Sequence, residues 1–208
     1  MCGDQNIMPN DDDDALVDAA WAGRLNVVRQ LVEGGENVDL RDIFGMTALM
    51  WAVAKGHLEM AHWLWGKGAD PHARDDDGAT PLMWAATYGQ MEAIRWLLDI
   101  GADLFAEDNL DGTALSHAVH HGHLDVAQYL ASKGAFTDVL ETDGTTPLMY
   151  AATNGHLNIA RWLVDLGADV NAMEYELGRT PLAWALENGR LEVAEFLRQH
   201  GAEEYRRE

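Results

Sequence analysis

Thr47, Thr80, Thr113, Thr146 and Thr180 stand 33, 33, 33 and 34 residues apart. Leu49, Leu82, Leu115, Leu148 and Leu182 keep the same step, and so do Ala52, Ala85, Ala118, Ala151 and Ala185. Downstream, Gly35, Gly68, Gly101, Gly134, Gly167 and Gly201 hold the register, with Leu31, Leu64, Leu97, Leu130, Leu163 and Leu197 as a further column. A fixed period of this length restricts the chain to an array. Each unit is too small to bury its own apolar face and is stacked on the next, so stability is a sum of nearest-neighbour interfaces.

The stretch GATPLMWAATYG at 78–89 shows how one unit is written. Thr80 is a good N-cap, and Pro81 a good first helical residue because its missing N–H would be unpaired there anyway. Leu82, Ala85 and Ala86 share a face at helical spacing until Gly89 stops the turn. The pattern predicts a second short helix over about 91–99, with Ile94, Leu97 and Leu98 apolar, ending at Gly101-Ala102. The link 103–112 is polar and bears glycine, suited to a β-hairpin-like turn. Helices this short are marginal alone and need their neighbours.

The string D-x-x-G-x-T-P-L-x-x-A-A-x-x-G-H-x-x-x-A-x-x-L-x-x-x-G-A-D resembles the ankyrin repeat. The resemblance implies an all-α solenoid of stacked helix-turn-helix units with β-hairpin-like connecting loops, and a role in protein–protein interaction. It places an acidic N-terminal tail at 1–11 and a repeat domain at 12–205, with repeats near 12–41, 42–74, 75–107, 108–140, 141–173 and 174–205. The first unit lacks the Gly-x-Thr-Pro opening, as an N-terminal cap would. An extra residue in 174–178 predicts a longer or bulged last turn. Asp111 stands where the other units have Gly, so a different turn is expected there.

Where the family has His after Thr-Pro-Leu, this chain has Met50, Met83, Ser116, Met149 and Ala183. That exchange removes a polar network and supplies flexible apolar filler. The next column is Trp51, Trp84, His117, Tyr150 and Trp184. At about 100° per residue, Trp84 lies roughly 200° from Leu82 and cannot share its buried face. These rings either pack between repeats or line the inner groove beside Trp21, Lys55, Tyr88, His120, His121, Asn154 and Asn188. Trp63, Trp96, Tyr129, Trp162 and Phe196 form a second ring column, two positions after Ala61, Ile94, Ala127, Ala160 and Ala194. It is expected to be core, with Trp65, one step past Leu64, partly exposed.

The chain carries 35 acidic against 14 basic residues, a formal net charge of −21. Such an excess repels phosphate backbones, so a nucleic-acid partner is not expected, and it steers basic proteins instead. The single cysteine, Cys2, excludes an internal disulfide and suits a reducing, cytoplasmic setting. No secretory signal is apparent, and no run approaches the roughly 18 apolar residues a membrane helix needs. A monomer is expected.

His117 and His121 share one helix face at metal-ligand spacing, with His120 to the side. Tyr88 and Asn154, the neighbours in adjacent repeats, are poor zinc ligands, so neither metal nor cofactor is expected. His57, His123 and His156 sit at the family's Gly-His position, where the resemblance implies a structural ring that satisfies backbone carbonyls. A calcium loop through Gly78 or Gly112 would put Trp84 or Ala118 where a bidentate Glu belongs. Asp11 to Asp14 complement the dipole of the first helix. The partner-binding candidates are therefore Trp21, Trp51, Trp84, Tyr88, His117, His120, His121, Tyr150, Asn154 and Trp184 in the groove. Asp75, Asp76, Asp77, Asp108 and Asp111 join them on solvated hairpin tips, with Glu141 and Asp143 beside them. No catalytic residue is expected; the alternative is an enzyme or small-molecule site around His117 and His121.

Overall fold

A computed structural model describes residues 15–203, so the tail 1–11, Cys2 and the Asp11–Asp14 run lie outside the described residues. The described residues form twelve α-helices: α1 (Ala15–Trp21), α2 (Leu25–Glu33), α3 (Ala48–Ala54), α4 (Leu58–Gly66), α5 (Pro81–Thr87), α6 (Met91–Asp99), α7 (Ala114–His120), α8 (Leu124–Ser132), α9 (Pro147–Asn154), α10 (Leu157–Asp165), α11 (Pro181–Glu187) and α12 (Leu191–Gln199). They contain no strand, and the bridge between Arg41 and Thr47 stands isolated. The helices alternate as short pairs, the all-α arrangement the repeat predicts.

Two compact units result. Of the described residues, 15–85 with 90–103 form the first, and 86–89 with 104–203 form the second. In the first, α1 packs on α2 and α3, and α3 on α4. In the second, α7 packs on α8 and α9, α9 on α10 and α11, and α11 and α10 on α12.

Threonine starts the first helix of each pair from α3 onward, and the methionines do more than fill space. Thr47 Oγ1 accepts the Met50 N–H at 3.3 Å, while Met50 Sδ accepts the Thr47 N–H at 3.4 Å. This is a capping box in which a thioether replaces the usual Glu or Gln. Thr80 with Met83, Thr113 with Ser116 and Thr146 with Met149 close in the same way. Ala183 leaves only half of the motif, its N–H donating to Thr180 Oγ1 at 3.3 Å. The Met column is therefore hydrogen-bonding as well as apolar filler.

The second helices are tied backward. Gln90 Nε2 donates to Ala54 O in the first unit. In the second, His123 Nε2 pairs with Thr87 O, His156 Nε2 with His120 O, and Arg190 Nε donates to Thr153 O. The His156 ring lies so close to Gly122 that a Cβ there would stand 2.7 Å from it, and Gly122 has φ +85°. Only glycine meets both demands.

Asp111 does not change its turn. It takes φ 65°, the left-handed conformation that Gly45, Gly78 and Gly144 adopt in the corresponding loops. An Asp tolerates this region better than most residues but still carries strain. Against that, its Oδ2 accepts the Thr142 hydroxyl at 2.6 Å in an exposed setting. Asp111→Gly should therefore raise stability by about 0.5 kcal/mol in urea denaturation. A loss of stability would show that the Thr142 bond outweighs the strain.

Leu64, Ile94 and Leu97 in the first unit are sealed from solvent, as are Leu130, Leu163 and Leu197 in the second. The second ring column departs from expectation. Phe196 alone is buried; Trp63, Trp96, Tyr129 and Trp162 are half-buried, and Trp65 is 46% exposed. The small residues two positions earlier already fill the interior, so these rings lie across its edge. Cations lie over several of them: Lys67 at 5.1 Å from the Trp63 ring centre, Lys133 at 5.3 Å from Tyr129 and Arg161 at 4.9 Å from Phe196.

Candidate partner-binding site

The groove rings are anchored by the loops in front of their helices. Trp51 Nε1 donates to Asp42 Oδ2 at 3.0 Å, and Trp84 Nε1 to Asp75 Oδ2 at 2.7 Å. In the second unit, His117 Nε2 pairs with Asp108 Oδ2 at 2.9 Å, and the Tyr150 hydroxyl donates to Glu141 Oε2. Each acceptor lies nine residues before its ring. The same carboxylates also fold their own loops: Asp75 Oδ1 accepts the N–H groups of Asp77 and Ala79, and Asp108 Oδ1 those of Leu110 and Gly112.

This corrects the picture of solvated acidic tips. Asp75 is buried, Asp108 and Glu141 are half-buried, and all three carboxylates point at rings rather than into solvent. Burial pushes the Asp75 and Glu141 carboxyls above their ordinary range, only partly offset by the Trp84 and Tyr150 donors. Asp108 is also raised by burial, but the His117 hydrogen bond and two backbone N–H groups outweigh this and hold it low. Burial and Glu141 together hold the Tyr150 phenol up. Of the acidic candidates, Asp76 and Asp77 are exposed and Asp111 half-buried. Asp76 lies 3.5 Å from Arg41.

The groove rings are neither sealed nor fully open: Trp21, Trp51, Trp84, His117, Tyr150 and Trp184 are all half-buried. In the first unit the Trp51 and Trp84 ring centres are 6.2 Å apart, and Lys55 Nζ lies 5.7 Å and 5.8 Å from the Trp21 and Trp51 ring centres. In the second unit the His120 ring centre lies 4.8 Å from both His121 and Tyr150. Asn154 Nδ2 donates to Tyr150 O, and Tyr88 is 40% exposed. His117 is held at both nitrogens, its Nδ1 standing 2.9 Å from Thr87 Oγ1.

Trp184 departs from the ladder. The inserted residue puts it ten positions after Glu174, and its Nε1 is buried with no acceptor. Glu174 instead gathers the N–H groups of Glu176, Leu177 and Arg179, and Arg179 Nε at 3.3 Å. The Arg179 guanidinium then lies 3.7 Å from the Trp184 ring centre.

Sequence reasoning missed two features. The loop tips are apolar as well as acidic: Ile43 is 71% exposed, Leu110 66% and Tyr175 68%. Successive tips are also tied by backbone, Asp76 N–H to Phe44 O in the first unit, and Thr142 N–H to Leu110 O and Tyr175 N–H to Asp143 O in the second. The ladder had a legible signal, a constant nine-residue step from each acid to a ring that can donate.

Among the described residues no three His, Cys, Asp or Glu side chains converge as metal ligands would, and no helix is long and apolar enough to cross a membrane. A cavity of about 560 Å³ in the first unit is lined by Gly23, Arg24, Leu25, Asn26, Val27, Arg29 and Glu59, and by none of the candidate residues. A family model described as ankyrin repeats (3 copies) matches residues 16–108, 60–141, 100–174 and 136–208. Compared with curated proteins as a whole, the chain matches none.

Proposed function

Because the chain belongs to the ankyrin-repeat family, whose arrays are protein–protein interaction modules and typically not enzymes, we propose that it is a binding protein that holds a basic protein partner against its half-open rings. One observation carries this reading. Trp51, Trp84, His117 and Tyr150 each present a partly open face while a carboxylate holds the polar edge behind it. A ring with negative charge behind it favours a cation on its face, and Trp51, backed by Asp42, has Lys55 5.8 Å from its ring centre. Trp21 is a further contact residue of the first unit, with Asp76 and Asp77 steering the approach; Tyr88, His120, His121, Asn154 and Trp184 are those of the second, with Asp111 steering. Asp75 and Asp108 act from behind the rings.

In this reading residues 12–205 are the interaction domain, six repeats in all, and 1–11 an acidic tail. The protein acts as a cytoplasmic monomer, either an adaptor or an inhibitor of immunity type that masks a basic surface. Pull-down from lysate at about 50 mM and about 500 mM salt should recover basic proteins preferentially at the lower, since screening shortens the reach of surface charge. Trp84→Leu with Tyr150→Leu should cut that recovery at least about fivefold. Acidic partners, or recovery indifferent to salt, would remove the steering argument.

A second reading has its own support. Asp108, His117 and Thr87 stand in line at 2.9 Å and 2.9 Å, the order of acid, base and hydroxyl that activates a nucleophile. The hydroxyl also serves as a packing tie to His117, which explains the contact without chemistry. Ester hydrolysis that disappears in Thr87→Val would establish the enzymatic reading in place of the binding one.

A further inference from the structure

The second unit gathers five imidazoles, His117, His120, His121, His123 and His156, in a chain that is otherwise strongly acidic. Three of them are occupied by bonds: His117 by Asp108 and Thr87, His123 by Thr87 O, and His156 by His120 O. His120 and His121 are exposed and are built into a ring cluster with Tyr150, His120 between the other two at 4.8 Å from each. Behind Tyr150, the bond from its hydroxyl to Glu141 enriches the phenol ring in electron density.

We propose that the His120–His121–Tyr150 cluster seats an arginine guanidinium of the partner and releases it on acidification, an inference that rests on the reading of the chain as a binder of a basic protein. The choice of arginine follows from its chemistry. A guanidinium is flat and weakly hydrated and stacks on ring faces, whereas an ammonium keeps its water. In this chain the Arg179 and Arg161 guanidinium groups come to 3.7 Å and 4.9 Å from the Trp184 and Phe196 ring centres, whereas Lys67 and Lys133 stay at 5.1 Å and 5.3 Å from Trp63 and Tyr129, and Lys55 at 5.7 Å and 5.8 Å from Trp21 and Trp51.

Release follows from what faces the cluster. His117 belongs to the same helix, His123 and His156 stand at the heads of α8 and α10, Tyr150 comes from α9, and Asp108, Glu141 and Asp143 come from the loops. On acidification His120 and His121 gain charge and Glu141, whose carboxyl burial holds above its ordinary range, loses it, so both changes act against a cation. Partial desolvation first, and then repulsion between neighbouring imidazoles, hold His120 and His121 below the ordinary imidazole range, His121 at about 4. Both are therefore neutral at neutral pH and the seat is intact. Protons enter below the ordinary value of 6.5, and by linkage proton and guanidinium compete for the same surface.

The test is aromatic-resonance NMR of the labelled full chain, titrated with the peptide acetyl-Gly-Arg-Gly-Arg-Gly-amide and its lysine counterpart. At about pH 7.5 the arginine peptide should shift the His120, His121 and Tyr150 rings saturably, and bind at least about threefold more tightly than the lysine peptide. At about pH 4, where His121 carries its proton about half the time, the affinity should fall at least about twofold. His120→Gln with His121→Gln, both at exposed positions, should weaken it about fivefold at the higher pH while backbone amide signals elsewhere stay in place. Equal binding of the two peptides, equal affinity at the two pH values, or shifts confined to the tips at Leu110 and Tyr175 would overturn the seat and leave the basic-partner reading standing. No saturable shift anywhere, together with a pull-down indifferent to salt, would overturn both.

Discussion

Replacing Glu174 with alanine will destabilise the second unit by about 3 kcal/mol, more than most surface carboxylates are worth. Glu174 is 4% exposed, and its two oxygens accept three backbone N–H groups and the Arg179 guanidinium. Alanine leaves those donors in a turn that the inserted residue has already lengthened, and it frees Arg179 from the position that places it over Trp184. Glu174→Gln keeps one carbonyl oxygen for the loop and should cost about half as much. The pH dependence gives an independent check. Burial alone would raise this carboxyl, but the bonds it accepts win and hold it low. A depressed pKa in the folded state means that the contribution is complete above the ordinary value of 4.5 and is lost as pH falls through the folded value. The gap between wild type and Glu174→Ala in urea denaturation should therefore narrow below about pH 4.5. A gap under about 1 kcal/mol at neutral pH would mean that water replaces the carboxylate in the loop.

The repeat period made the helices legible because it reports a physical need that recurs in every unit. Thr80, Pro81 and Gly89 mark the ends of a helix by local chemistry, and α5 and α6 fall where those residues put them. Side-chain partners across a loop were less legible. Asp75 and Trp84 are nine residues apart, a step that matches neither helix nor strand periodicity, so an acid in a polar run reads as solvated until its partner is located. The Met column failed for another reason. A thioether counts as apolar in any pattern, yet Met50 Sδ accepts a hydrogen bond from Thr47 because the helix start leaves that N–H without another acceptor. At Asp111 residue type is a poor guide to φ, which is 65° there as in a glycine turn. The Asp108 carboxylate instead fixes the loop by accepting from Leu110 and Gly112, and Asp111 adopts the φ that this loop requires.

Of the candidate site, the ring columns and the acidic excess were visible in the sequence, but the division of labour between them was not. Asp42, Asp75, Asp108 and Glu141 hold rings in place, whereas exposed Asp76, Asp77 and Asp143 face solvent. Charge therefore enters twice, once as a fixed partner behind each ring and once as a screened surface field. Only the second should vanish in salt. Loss of partner recovery at high salt with the fold intact would separate the two contributions, because the buried pairs that shape the rings are screened far less.

Two neighbouring residues of the ring and leucine columns, Trp162 and Leu163, give the sharpest test of where the core ends. Leu163 is fully buried and Trp162 is half-buried, although they are adjacent on α10. Leu163→Ala removes apolar volume from a sealed interior bounded by Ile159 and Ala160 of its own helix, and should cost about 3 kcal/mol. Were the second ring column core, Trp162→Ala would cost more than this, since a tryptophan loses more contact area than a leucine. With part of the indole already in water, the expected cost is instead about 1–2 kcal/mol. Because each unit of such an array is held chiefly by its neighbours, the Leu163 cavity should also loosen the helices that α10 touches. Amide hydrogen exchange should then quicken in α9 and α12 as well as α10, while Trp162→Ala leaves α12 protected. If the two substitutions cost the same, or their order is reversed, the aromatic column is core after all and its cations are incidental.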